Sequence, residues 1–129
     1  MADGAAKSRP LSPHLQIWRW TPTMAASITH RATGVALYAG AILLAIWFFA
    51  AALGPAPYAF AAKLATSTFG LIVLFGFCWS LAFHALNGLR HLYWDTGRGL
   101  APKMATTTAW LVYIASFSMT AGIFVFAIG

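Results

Sequence analysis

Two short stretches carry the residues that could do chemistry: Ser27-Ile28-Thr29-His30-Arg31 and His84-Ala85-Leu86-Asn87-Gly88-Leu89-Arg90-His91. Ser27 and Arg31 stand at i and i+4, so on a helix they share one face. A hydroxyl beside a guanidinium makes a donor pair suited to an oxygen-bearing ligand, such as a quinone carbonyl that gains negative charge on reduction. Arg31 stays charged at ordinary pH, so its role there would be to stabilise that charge rather than to give a proton. The plainer reading makes Arg31 a charge that orients the chain in a membrane. His84, Gly88 and His91, at i, i+4 and i+7, run down one helix stripe. A neutral imidazole at the end of an apolar helix can serve as an axial haem ligand. Gly88, one turn on, clears a side chain where a flat macrocycle would approach. His30, Arg31, Arg90 and His91 could meet the haem propionates. The plainer reading is a helix-packing histidine beside a packing glycine.

The stripe does not supply two axial ligands. His84 and His91 are about 10 Å apart in rise, so they cannot clamp opposite faces of one haem. His30 could be the second ligand only at the same depth, and His14 lies in a polar arm. A second subunit supplying the other ligand is the simpler expectation. Asp95, the only acidic residue besides Asp3, offers either an ion pair to a nearby arginine, Arg31 included, or a proton relay.

The elements that must position these groups are membrane helices. Of the 129 residues, 60% are hydrophobic and only 8% charged, against about 25% charged in an ordinary soluble domain. Mean hydropathy is +0.74. Such a composition excludes a soluble enzyme domain, and the net charge of +6 reads as membrane orientation rather than nucleic-acid binding. A lone Cys78 excludes an internal disulfide and a cysteine metal cluster.

Three apolar runs, 32–53, 64–93 and 105–128, are each long enough to span a bilayer core, which takes about 20 residues. The first is preceded by a more polar helical turn or two from about Met24. Gly54-Pro55-Ala56-Pro57 ends the first run, and Gly97-Arg98-Gly99 with Pro102 separates the others. The expected fold is therefore an all-α integral membrane protein with three transmembrane helices. Residues 1–23 form an arm and 24–129 the anchor domain. Trp18, Trp20, Tyr93 and Trp94 sit where interfacial aromatics are expected. Ser116, Ser118 and Thr120 in the last run read as packing, their hydroxyls bonding back to helix carbonyls.

Lys7, Arg9, Arg19 and Arg31 precede the first span, and Arg90, Arg98 and Lys103 lie between the second and third. Lys63 alone falls on the other side. This bias puts the N-terminus inside and the C-terminus outside. It also brings both polar stretches to the inner face, at one level. Residues 1–23 lack an apolar leader core, and Asp3 with few basic residues argues against a mitochondrial presequence. A bacterial inner membrane is expected, with the mitochondrial inner membrane as the alternative.

The chain resembles the cytochrome b membrane-anchor subunit of succinate dehydrogenase, respiratory complex II. One signature runs Arg9-Pro10-Leu11, Leu15, then Ser27-Ile28-Thr29-His30-Arg31-Ala32-Thr33-Gly34. The other runs from His84 through His91 to Leu92-Tyr93-Trp94-Asp95-Thr96-Gly97. The resemblance covers residues 9–128. It implies a four-part assembly: a flavoprotein with FAD, an iron–sulfur subunit and two small hydrophobic anchors, of which this chain is one half of the anchor bundle. It further implies a haem b shared between the anchors, with His84 as this chain's ligand to the haem iron. Ser27 and Arg31 then line the quinone site, and His30, Arg31 and His91 approach the propionates. Three spans with one clear ligand favour the two-anchor, one-haem type. A quinol:fumarate reductase anchor and a haem-free structural anchor are the alternatives.

Overall fold

A computed structural model of the chain describes residues 10–128. Asp3, Lys7 and Arg9, which enter the charge balance and the first signature, lie outside the described residues. Four helices follow a short 3-10 turn at His14–Ile17: α1 (Pro22–Leu53), α2 (Pro55–Ala65), α3 (Thr68–Asp95) and α4 (Pro102–Ile128). Helices α1, α3 and α4 are long and apolar enough to cross a membrane.

Helices α1 and α3 start where the sequence supplies a side-chain cap. The Thr21 hydroxyl accepts from the Met24 amide, and Pro22 opens α1, where a missing N–H costs nothing. The expected arm boundary after residue 23 thus falls inside the first turn of α1. With 32 residues, α1 is about 48 Å long, well beyond a hydrocarbon core of about 30 Å. Gly54, at φ 119°, ends it in a conformation that side chains rarely adopt.

Helix α2 corrects the sequence reading. The Gly-Pro-Ala-Pro segment breaks α1, but its two prolines occupy the first turn of a new 11-residue helix. The first turn has no intrahelical acceptors for its N–H groups, so proline is tolerated there. Residues 64–67 accordingly belong to α2 and its exit, and the second span begins at Thr68. The Ser67 hydroxyl caps it, accepting from the Gly70 amide at 3.1 Å. The corner is tight: a Cβ on Gly70 would stand 2.2 Å from the Leu64 carbonyl oxygen.

The three long helices alternate in direction. The start of α1, the end of α3 and the start of α4 therefore meet at one end of the bundle, and α2 lies at the other. The apolar core is small: Ala26, Phe83, Ala109 and Val112, flanked by Trp79, Leu86 and Tyr113. Thr33, Ser80, Asn87, Arg90, Ser116 and Thr120 are buried as well, while Val35, Phe49, Ile72 and Phe126 are exposed. Small and polar residues inside with large apolar residues outside is the pattern of a chain packed in lipid. Ser116 and Thr120 donate to the carbonyls of Tyr113 and Ser116, at 3.0 and 2.9 Å. Thr29 and Tyr113 share a 2.7 Å hydrogen bond that ties α1 to α4.

Candidate functional site

His84 lies on the face of α3 that packs against α1. Its Nδ1 is 3.2 Å from the His30 carbonyl oxygen and 3.3 Å from the Thr33 hydroxyl. A carbonyl can only accept, so Nδ1 carries the proton and Nε2 keeps its lone pair. The Thr33 hydroxyl donates to the same carbonyl at 2.9 Å, which leaves its oxygen free to accept from Nδ1. Gly34 completes the seat: a Cβ there would stand 3.3 Å from His84 Cε1. An imidazole whose Nδ1–H is committed to a backbone carbonyl is prepared to bind a metal through Nε2.

The two polar stretches do meet at one level. The His30 and His84 rings stack with centroids 3.9 Å apart and planes 13° from parallel. His91 stands 5.4 Å from His30 and 5.1 Å from Trp94. His30 thus reaches the depth that a second axial ligand would need, but its geometry is unsuited to that task. Two trans ligands point nitrogens at a metal between them, each about 2 Å away, whereas these rings lie face to face in van der Waals contact. Among the described residues, His30 Nδ1 is buried without a hydrogen-bond partner. No group of three His, Cys, Asp or Glu side chains among them could hold a metal ion alone.

Ser27 is half-buried and Arg31 exposed. They lie about 140° around α1 from the buried line of Ala26, Thr33 and Gly40, at 100° per residue. No described residue hydrogen-bonds or ion-pairs with either side chain, so their donors are uncommitted among the described residues.

Arg90 is turned about 120° from His84 on α3 and is 6% exposed. Its Nε donates to the Thr108 hydroxyl at 2.9 Å, Nη2 to the Ala105 carbonyl at 2.9 Å and Nη1 to Asn87 Oδ1 at 3.3 Å. The guanidinium carbon lies 3.9 Å from the Trp94 ring centroid. The residue expected near a propionate is thus engaged in joining α3 to α4 within this chain. Asp95 is exposed, and among the described residues none forms an ion pair with it.

A family model described as the succinate dehydrogenase/fumarate reductase transmembrane subunit matches residues 5–123. The chain belongs to that family. Among similar proteins is the succinate dehydrogenase cytochrome b556 subunit of Paracoccus denitrificans, 45% identical over 105 residues, covering 81% of each chain. The mitochondrial succinate dehydrogenase cytochrome b560 subunit of Sus scrofa is 38% identical over 121 residues, 90% of this chain and 70% of the relative. The cytochrome b556 subunit of Rickettsia prowazekii is 37% identical over 112 residues, 87% of each.

For this member of the succinate dehydrogenase/fumarate reductase family, sequence reasoning named His84, His30 and Arg90 but missed what holds them. Thr33, Asn87 and Thr108 carry the supporting hydrogen bonds. One signal was present: Thr33 follows His30 by three residues, the spacing at which a helical threonine bonds a preceding carbonyl.

Proposed function

We propose that this chain is the cytochrome b membrane-anchor subunit of a succinate:quinone oxidoreductase. It binds haem b together with a second small anchor and forms part of the quinone-reduction site. Electrons reach that site from the iron–sulfur subunit, which is fed by a flavoprotein subunit. The chain is not catalytic alone. A bacterial inner membrane is the location we assign to it, with the N-terminus and the histidine cluster on the inner side.

The observation that carries the reading is the His84 hydrogen bond. With Nδ1–H given to the His30 carbonyl, Nε2 is the nitrogen available to iron. Two further observations fit a haem on this face. A Cβ built on Gly88 meets nothing within 4 Å, so the surface one turn from His84 is open to a flat group. His30 Nδ1 has no hydrogen-bond partner among the described residues, and a small turn of its ring would offer it to a propionate oxygen; His91 stands beside it. When bound, a b-type haem supplies a centre that takes up and releases one electron at a time. Arg90 is assigned a structural task instead.

Ser27 and Arg31 carry the quinone side of the proposal. Both present uncommitted donors from one face of α1, at the level of the histidines. The Ser27 hydroxyl can hold one quinone carbonyl by a hydrogen bond. The Arg31 guanidinium can stabilise negative charge developing on that head group as electrons arrive. The exposed apolar surface below offers the isoprenoid tail a path into lipid.

The test uses the intact complex, purified in mild detergent. A flavoprotein, an iron–sulfur protein and a second small hydrophobic chain are expected to co-purify. The reduced-minus-oxidised spectrum should carry a b-type band that His84→Ala abolishes or shifts. An unchanged band in that variant rejects the ligand assignment, and no band in the parent complex leaves a haem-free anchor. Faster fumarate reduction than succinate oxidation would assign the complex to the quinol:fumarate reductase branch.

A further inference from the structure

We propose that Thr33 is a positioning residue for the haem ligand: its hydroxyl fixes the tautomer and ring plane of His84 and lowers the reduction potential of the iron. The inference rests on the reading of His84 as an axial ligand.

Thr33 is buried, at 3% exposure, and its hydroxyl contacts two partners at once. It donates to the His30 carbonyl at 2.9 Å and lies 3.3 Å from His84 Nδ1. The carbonyl itself accepts from that Nδ1 at 3.2 Å. The three atoms form a closed triangle in which the imidazole N–H is shared between two acceptors. A threonine that only needed to satisfy its own hydroxyl would require just the carbonyl three residues back. Here the α1 backbone brings hydroxyl and carbonyl to the same edge of the ring, and Gly34 removes the Cβ that would push the ring away.

The consequence is directional. A ring flipped by 180° about its Cβ–Cγ bond would put a carbon where both acceptors lie, so the triangle selects one orientation. Two acceptors on Nδ1–H also raise the electron-donating power of Nε2, which favours ferric over ferrous iron. Thr33 lies on the buried side of α1, away from Ser27 and Arg31, so its influence passes through His84.

Three variants of the whole complex test this: Thr33→Val, nearly isosteric but without the hydroxyl, Thr33→Ala and Thr33→Ser. The readouts are the haem midpoint potential and the g-values of the oxidised haem by electron paramagnetic resonance. Thr33→Val is expected to retain the b-type band, raise the midpoint potential and shift the g-values. Thr33→Ser is expected to restore the parent values of both. Thr33→Ala keeps the question answerable if valine impairs assembly, and the same upward shift is expected from it. A parent-like or lowered potential in the hydroxyl-free variants overturns the proposal. A b-type band that survives His84→Ala unchanged would instead defeat the ligand reading beneath it, so the two failures are distinguishable.

Discussion

Replacing Arg90 by leucine is expected to destabilise the fold by about 3 kcal/mol, about 2 of it at the α3–α4 junction. Two of its hydrogen bonds cross to α4, to Thr108 and Ala105, both at 2.9 Å. Interhelical hydrogen bonds in membrane proteins contribute about 0.6 kcal/mol on average and up to about 1.7. Charged donors lie above that average, at about 1 kcal/mol each, which gives about 2 kcal/mol for the pair. The Trp94 contact at 3.9 Å lies within α3 and adds about 1 kcal/mol to the fold as a desolvated cation–π interaction, outside the junction itself. The longer bond to Asn87 Oδ1 lies within α3 and adds little to the junction. A loss of about 3 kcal/mol is roughly a hundredfold change in the unfolding equilibrium, since 1.4 kcal/mol is about tenfold. Unfolding of the complex in detergent, followed by intrinsic tryptophan fluorescence, measures it. Arg90→Lys keeps the charge but loses the fork, and is expected to recover less than half of the difference. The structural role is refuted if Arg90→Leu unfolds within about 0.5 kcal/mol of the parent. Loss of the haem band at unchanged stability would likewise return Arg90 to the propionates.

Ser27→Ala is expected to lower quinone reduction while succinate oxidation by a soluble artificial acceptor stays intact; equal loss of both would indicate failed assembly. Gly40→Ala introduces a Cβ 2.0 Å from the Phe77 ring, so a destabilisation of about 1–3 kcal/mol is expected. Adding Phe77→Ala should remove that steric penalty, and a strictly additive double-variant cycle in thermal unfolding would reject the clash. Thr29→Val and Tyr113→Phe each remove one end of the 2.7 Å bond between α1 and α4. Each is expected to cost about 1 kcal/mol, and the double variant about the same as either single one. Fully additive losses would mean that the bond is not formed in the membrane.

Hydropathy made the three spans legible because a bilayer demands about 20 apolar residues in a row whatever they pack against. It did not reveal α2, because proline carries opposite meanings inside a helix and at its first turn. Pro55 and Pro57 follow a glycine at φ 119°, so here they start a helix. The histidine site was legible in residue type and level, since His84 and His91 share a stripe and His30 lies near the same end. Which ring faces which was not legible, because the register between α1 and α3 is set by interhelical contacts such as Gly40 against Phe77. Arg90 shows the same limit: its place near the end of α3 could be inferred, but Thr108 and Ala105, the acceptors on α4 that claim it, lie on another helix and can be recognised only once the two are paired.

Arg90 also constrains how the chain can enter a membrane. Its partners lie 15 and 18 residues downstream, so while α3 emerges from the ribosome its cation has nothing in the chain to bind across the turn. Lipid penalises such a lone arginine by up to about 3 kcal/mol. The second span is therefore best released sideways into the bilayer only after the third has been synthesised, the two partitioning as one hairpin. Truncation between Asp95 and Ala105 would strand the charge and stall insertion at that step.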